Sequence, residues 1–439
     1  MNPRRSIVLP ETIAIGAARV ALLATLAYFV VLPVGHTAIL SSALALAGIS
    51  ALTLAVLERR RLAHALVPVV VASAALMVLG FAVGFGNPGW QHSLIAWVGA
   101  PVLFWIWSVA ISEALLRSVL VVLAWATIAL SAVMLVAAAI GSSASGALPT
   151  FLRVVFDADV TGSGLASAVG VYGASSLIAL TPMWLMALFF GDARHLPPRV
   201  LVIAAAVLSC LAALLSTRRA SLALAVVAPV LVGVAYLATR DWKANPWSRR
   251  RWVLATACVA VAAVGVLLAQ RLPIVARTLA GIGGLLAGEA TSIDERLRLE
   301  QVQRLWEGFL QSPVWGHGIG ATIDGYARND ERAWAFEMQY HLLLFQTGAL
   351  GAILLIAIAV TTVLALWRAQ RRRPDLRPVL AVTATAALAV ALANAVNPIL
   401  QAPGHFWALF LVIGVVNSAL VGQPAPSLGL RVASSRGSD

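Results

Sequence analysis

The chain has 439 residues, of which 61% are hydrophobic and 11% are charged, and its formal net charge is +13. Soluble globular proteins have about 25% charged residues, so this composition excludes a soluble protein and predicts an integral membrane protein. The positive charge does not indicate a nucleic-acid partner, because the arginines stand in short clusters between apolar runs, where they orient a membrane protein.

Apolar runs long enough to cross a bilayer follow one another along most of the chain. Because a spanning helix needs about 20 mostly apolar residues, we predict an all-α integral membrane protein with about twelve transmembrane helices. The predicted helices are at 12–33, 38–57, 64–84, 93–111, 118–140, 165–190, 199–215, 220–238, 252–269, 341–366, 378–397 and 405–421.

The distribution of arginine and lysine predicts how these helices are oriented. Basic residues are concentrated in alternate joints, as at 59–61 and 371–373, whereas the short joints at 34–37, 85–92 and 398–404 contain none. Because cytoplasmic joints carry the excess of positive charge, we expect the basic joints and both termini to be cytoplasmic.

The longest polar segment lies between predicted helices nine and ten, at about 270–340. On the orientation above, it is a periplasmic subdomain within one polytopic membrane domain, 1–421. The remaining segment, 422–439, has the Pro, Gly and Ser content of a disordered tail and is expected in the cytoplasm. Chemistry is expected first in the long loop and in the groups that can reach it.

One part of this loop, SIDERLRLEQVQRLWEGFL, predicts an amphipathic helix because its apolar residues recur at largely helical spacing. It contains Arg296, Arg298 and Arg304, and for Arg304 we expect a solvated face with Glu–Arg pairs. The following sequence, SPVWGHGIGATIDGY, has a proline and alternating glycines that end the helix and form a turn.

Two further arginines, Arg218 and Arg219, follow the predicted helix 199–215 at its outer end, against the trend of positive charge inside. They either extend to lipid headgroups from an interfacial turn or form a fixed positive site for an anionic substrate. Arginine suits phosphate because its planar guanidinium donates two parallel hydrogen bonds and keeps its charge.

The loop closes with NDERAWAFEMQYHLLLFQTGALG, in which Glu337 and His341 are four residues apart. On a helix they would share one face at the outer membrane edge, and either is a candidate general base. The alternatives are that Glu337 caps the helix N-terminus, where its charge favours the helix dipole, and that His341 is an interfacial histidine with satisfied hydrogen bonds. The scattered histidines predict no metal site.

Together these segments resemble the O-antigen ligase and O-antigen polymerase superfamily, over about residues 165–365. LLSTRRASLAL is similar to the family's Ser-Arg-Gly-Ala-like turn. ERLRLEQVQRLWEGFLQSPVWGHGIG is similar to its stretch of Arg, Trp and Pro-x-x-Gly-x-Gly-x-Gly. EMQYHLLLFQTGALG is similar to the His-Asn and Gly-x-x-Gly that begin a late membrane-spanning helix.

The resemblance implies a bacterial inner-membrane glycosyltransferase with a GT-C-like fold and an active site facing the periplasm. Members of the family transfer a sugar chain en bloc from undecaprenyl pyrophosphate to an acceptor sugar hydroxyl, without a metal or other cofactor. The implied partners are the lipid-linked glycan donor, a glycan or lipid A–core acceptor, the lipid bilayer and a polysaccharide chain-length regulator.

The resemblance also assigns pyrophosphate-binding residues. Arg218 looks like the first pyrophosphate-binding arginine. Arg219 is the alternative if the match to the family's motif is shifted by one residue. Arg296 or Arg298 looks like the second. The distance from Pro313 favours Arg298, whereas the local Glu-Arg-Leu pattern favours Arg296.

The position of the catalytic base departs from that of the ligases. Glu337 stands where ligases carry histidine, Met338 replaces the following asparagine, and His341 lies one turn deeper. A carboxylate can act as a general base, so Glu337, together with His341, is the candidate. Because polymerases of the superfamily vary more at this position, we favour a polymerase, with a ligase acting on lipid A–core as the alternative.

A twelve-helix transporter or lipid flippase is an alternative from another class of protein. Such carriers usually show two repeated halves and functional charges near the bilayer midplane. In this sequence no repeat is evident, and the candidate charges gather at one outer edge. A non-enzymatic scaffold would leave the outward arginines unexplained.

Overall fold

The fold is known from a computed structural model, which describes residues 5–141, 145–161, 168–216, 220–238, 293–328 and 330–421. The predicted helix 252–269 and the tail 422–439 lie outside these residues. In the described part most of the backbone is helical, as the sequence predicts.

In chain order the helices are α1 (Arg5–Val31), α2 (Thr37–Leu57), α3 (Val67–Val83), α4 (Trp90–Leu94), α5 (Ala100–Ala110), α6 (Glu113–Ile140), α7 (Ala147–Phe156), α8 (Leu177–Leu188), α9 (Arg199–Leu215), α10 (Ala220–Ala238), α11 (Ile293–Gln311), α12 (Gln339–Arg372), α13 (Arg377–Ala393) and α14 (Trp407–Val421). A π-helical turn, Ile95–Gly99, joins α4 to α5.

Most of these helices are apolar on every side, which indicates a helix with protein on one face and lipid on the other. In α2, Ala47 and Leu54 are buried, whereas Ile49 and Val56 are 66% and 63% exposed. Within the described residues, eight helical stretches are long and apolar enough to cross a membrane, and three shorter apolar helices accompany them. The prediction of an all-α membrane protein is confirmed.

The predicted helix at 165–190 is wrong over its described residues before Leu177. Strand β1 (Asp159–Thr161) pairs antiparallel with β2 (Ala168–Gly170), a 3₁₀ turn follows at Tyr172–Ser176, and α8 begins only at Leu177. This stretch is rich in glycine, which disfavours an α-helix by about 1 kcal/mol per residue relative to alanine. At Gly173 a side chain would also collide with the carbonyl oxygen of Val31.

The polar joints between helices sort to the two ends of the bundle. At one end, Arg373 donates hydrogen bonds to Glu113 (2.9 Å) and Asp375 (2.7 Å). At the other end, the Gln401 side chain donates to the carbonyl oxygen of Phe336 (3.2 Å), and Gly404 packs against Pro33. The predicted orientation of these two ends, with the Arg373 end in the cytoplasm, stays a prediction.

Helix α12 is interrupted near its start, at Gly348, whose φ is +63°. The carbonyl oxygens of Phe345 and Gln346 accept hydrogen bonds from the amides of His317 (2.9 Å) and Gly318 (2.8 Å) instead of from their own helix. In return, the amide of Ala349 donates to the carbonyl oxygen of Pro313 (2.8 Å). The segment 313–320, hereafter the glycine segment, therefore replaces the backbone hydrogen bonds that the break in α12 releases.

The glycine segment is also bonded to the region that joins α3 to α4. The amide of Ile319 donates to the carbonyl oxygen of Gly80 (2.8 Å), and the Asn87 side chain donates to the carbonyl oxygen of His317 (2.9 Å). Gly318 has a φ of +84°, and a Cβ atom there would collide with the backbone of Gly84. The segment can approach α3 this closely because it has no side chain at that point.

We expect Gly318→Ala to destabilise the protein strongly, because the added Cβ meets both an unfavourable φ and the Gly84 backbone. Gly325→Ala is the matched control, since Gly325 has a φ of +70° but open space around its Cβ position. Left-handed backbone costs an L-residue roughly 1–2 kcal/mol, so only Gly318→Ala should exceed that cost. Thermal unfolding of the detergent-solubilised variants measures the stability of both. Equal losses of stability in the two variants would contradict the close packing.

Candidate functional site in the long loop

Helix α11 places one row of residues against the start of α12. Arg298, Gln301, Leu305 and Gly308 are spaced three or four residues apart, so they lie on one face of the helix. Gln301 and Leu305 are fully buried, and the absence of a side chain at Gly308 lets the ring of Phe345 approach. The sequence of α11 therefore directs Arg298 inward.

A small apolar cluster joins α11, the loop and α12 beside the site. It consists of Leu305, Ala321, Phe336, Leu342 and Phe345. The ring of Tyr326 stacks on Phe336 with the ring centroids 6.3 Å apart. Its hydroxyl donates to the carbonyl oxygen of Leu297 (3.4 Å). The loop between α11 and α12 is thus packed on both helices.

The side chain of Glu337 is held between two arginines. Arg298 donates from Nε to Oε2 of Glu337 (2.9 Å), and Arg328 donates from Nε (3.2 Å) and Nη2 (3.0 Å) to Oε1. The backbone amide of Glu337 donates to Oε1 of the buried Gln301 (2.8 Å). Both the carboxylate and its backbone are therefore fixed to α11.

The three charged side chains are partly shielded from solvent, with 29% of Arg298, 24% of Arg328 and 23% of Glu337 exposed. Burial alone would raise the pKa of Glu337, but the hydrogen bonds and charges of Arg298 and Arg328 outweigh it and lower that pKa below its ordinary value. Glu337 is therefore ionised at neutral pH. The group of three has one net positive charge, which suits an anionic ligand.

The structure separates the two candidate arginines of α11. Arg298 bonds to Glu337, whereas Arg296 lies on an exposed part of the helix. Residues two apart are about 200° apart around an α-helix, so they cannot both face one site. Arg304 forms a long, half-exposed pair with Glu307 (3.8 Å), as expected for a solvated face.

Glu337 and His341 do not share one helical face, so that prediction is wrong. Glu337 lies in a bend before α12 begins at Gln339, so helical spacing does not relate the two residues. Glu337 does not cap α12 either: the N-cap position is Met338, and no side chain caps the helix there. His341 lies in the first turn of α12 and is partly buried.

Arg218 and Arg219 lie outside the described residues, so their predicted role stays a prediction. Arg328, by contrast, is a site residue that the sequence reasoning missed. It lies in an irregular stretch without apolar periodicity, where nothing distinguishes it from its charged neighbours. Only its contact with Glu337, nine residues later, identifies it.

Three potential metal ligands, Glu113, His195 and Asp375, lie together at the opposite end of the bundle. The guanidinium of Arg373 bonds to both carboxylates of this group. We therefore interpret it as an ion-pair network that ties α6 to the joint between α12 and α13.

The fold and the site together define a multi-pass, all-α membrane protein with an arginine–carboxylate cluster on its longest loop. Residues 204–342 match the family model described as O-antigen ligase. This match covers about a third of the chain, includes every candidate site residue, and supports the O-antigen ligase and polymerase superfamily that the sequence resembles. The family points to a glycosyltransferase-like enzyme. No curated protein matches the chain.

The pairing of Glu337 predicts a specific dependence of stability on pH. Because the pKa of Glu337 is lower in the folded protein than its ordinary value of 4.5, its contribution to stability is complete above that value. The contribution is lost as the pH falls through the lowered pKa. The difference in thermal midpoint between the wild type and Glu337→Gln should therefore be largest near neutral pH and shrink in acid. A difference independent of pH would show that Glu337 does not stabilise the fold through its charge.

Proposed function

We propose that this protein is a glycosyltransferase of the bacterial inner membrane that acts on the periplasmic face. It moves a glycan en bloc from undecaprenyl pyrophosphate to an acceptor sugar hydroxyl, and we favour a polymerase of surface polysaccharide repeat units. The observation that carries this proposal is the cluster of Arg298, Glu337 and Arg328, on a loop inside the segment that matches the O-antigen ligase family.

In the proposed reaction, Glu337 is the general base. Its carboxylate takes the proton of the acceptor hydroxyl while the hydroxyl oxygen bonds to the anomeric carbon of the donor sugar. The bond from that carbon to the diphosphate oxygen breaks, and its electron pair leaves with the diphosphate. Fixed guanidinium groups stabilise the leaving negative charge. Arg298 supplies such a group, and Arg218, or Arg219 in the alternative register, is proposed as its counterpart.

His341 is the second candidate for the base, since it lies in the first turn of α12, directly after the bend that holds Glu337, and is partly buried. The proposed mechanism needs no metal or other cofactor, because guanidinium groups supply the positive charge. The further partners proposed are the bilayer, the acceptor glycan and a chain-length regulator.

The alternative is a ligase that transfers the finished glycan to lipid A–core. The presence of Glu337 where ligases carry histidine favours the polymerase. The glycan profile of a deletion strain separates the two. Lipid A–core capped with single repeats indicates a polymerase, and bare core with lipid-linked polymer indicates a ligase.

Variants of Arg298 and Glu337, expressed in that deletion strain, test the residue assignments. We expect Arg298→Ala to lower transfer by about 100- to 1,000-fold, the cost of removing one group that stabilises a developing oxyanion. Glu337→Gln should lower transfer by about 100- to 10,000-fold, because the amide cannot take the proton.

Arg304→Gln is the matched control, since Arg304 is on the same helix but is half exposed and pairs with Glu307 rather than with Glu337. It should restore a normal glycan profile. Full restoration by Arg298→Ala and Glu337→Gln, at wild-type protein levels, would show that these residues do not carry the reaction.

A further inference from the structure

Arg298 and Arg328 bind the carboxylate of Glu337 in different ways. Arg328 uses two nitrogens, Nε and Nη2, and directs both to Oε1. Arg298 uses only Nε, which it directs to Oε2. Among the residues that the structure describes, no partner is bonded to the terminal nitrogens of Arg298. Those two nitrogens are therefore available to a ligand, whereas the planar edge of Arg328 is already engaged.

The two carboxylate oxygens of Glu337 also differ, in the number of hydrogen bonds that each accepts. A carboxylate oxygen has about two lone-pair sites for hydrogen bonds. Oε1 accepts two hydrogen bonds from Arg328 and is filled. Within the described part of the chain, Oε2 accepts one from Arg298 and keeps one site. Oε2 is thus the oxygen that can take a proton, and it is one hydrogen bond from the guanidinium proposed to bind phosphate.

We propose that Arg328 is a positioning residue for the transfer reaction. Its two hydrogen bonds to Oε1 fix the carboxylate of Glu337, so that Oε2 takes the acceptor's proton. Arg298 then keeps its terminal nitrogens for the donor diphosphate. This inference rests on the proposed function. Arg328 acts through Glu337 and touches neither the donor nor the acceptor. The proton passes from the acceptor hydroxyl to Oε2, and the electron pair of the broken bond leaves with the diphosphate.

The same arrangement links donor binding to the strength of the base. The positive charges of Arg298 and Arg328 keep Glu337 ionised and make it a weak base while the site is empty. A diphosphate on Arg298 offsets part of that positive charge, so it raises the proton affinity of Glu337. Other charged or titratable groups of this region include the buried Glu295, Glu300 and Arg304 on α11, Tyr326 in the loop and His341 on α12.

The test compares Arg328→Gln, Arg328→Lys and Arg298→Gln in the full-length protein, reconstituted in lipid nanodiscs. Binding of undecaprenyl pyrophosphate, kcat, the donor KM and the pH profile of kcat/KM are measured for each. For Arg328→Gln we expect kcat to fall by about 10- to 100-fold, the range found when a group that orients a metal ligand is removed. Binding and donor KM should stay near wild type, whereas Arg298→Gln should lose binding.

The pH profile separates positioning from a merely structural role. Removing the positive charge of Arg328 raises the pKa of Glu337, so the acidic limb of the kcat/KM profile should move to higher pH in Arg328→Gln. Arg328→Lys keeps the charge but loses the two-nitrogen contact. Its acidic limb should stay near that of the wild type while its kcat remains reduced. If Arg328→Gln does not fold, Arg328→Lys still tests the effect on kcat and binding.

Two results would overturn the inference. If the Arg328 variants weaken binding of undecaprenyl pyrophosphate as much as Arg298→Gln, then Arg328 is itself a diphosphate ligand. If they leave both kcat and the acidic limb unchanged, Arg328 does not position the base. Normal binding by Arg298→Gln would instead contradict the proposed function, independently of the result for Arg328. Arg332→Gln, an exposed change in the same loop, is the control for general loss of activity.

Discussion

The exchange of backbone hydrogen bonds between the glycine segment and the broken start of α12 is the constraint on which the rest of the site depends. An interrupted helix leaves amide and carbonyl groups that are costly to bury without partners. Here the amides of His317 and Gly318 and the carbonyl oxygen of Pro313 supply those partners. Gly318 has no side chain, so the segment can also reach the backbone of α3. The loop is therefore anchored to two helices.

The hydrogen bonds of the glycine segment help to hold Arg298, Glu337 and Arg328 at one end of the apolar helical bundle. The glycine segment follows α11 directly, so fixing it also fixes the end of the helix that carries Arg298. The bend before α12 brings Glu337 back to α11, where Gln301 holds its backbone and two arginines hold its carboxylate. Partial burial strengthens these interactions relative to water. The proposed base and a proposed phosphate-binding group are thus positioned by the same helix.

The sequence predicted the features that depend on periodicity and composition. Most membrane helices and the amphipathic α11 follow from apolar spacing and polarity. The break at Gly348, the tight packing of the glycine segment and the contact of Arg328 with Glu337 depend on the tertiary fold, which no local pattern encodes. The hairpin before α8 was missed because its apolar residues fit either a strand or a helix. Arg296 and Arg298 could be separated only once the buried face of α11 was known.

The central claim is that this protein transfers a glycan and releases the lipid pyrophosphate. The direct measurement uses purified protein in liposomes with undecaprenyl-pyrophosphate-linked repeat units. Free undecaprenyl pyrophosphate and glycan length are then quantified together. The account predicts that one molecule of free undecaprenyl pyrophosphate appears for each new linkage between repeat units. Movement of the lipid-linked glycan across the bilayer, with no lipid released and no change in glycan length, would contradict it and indicate a transporter.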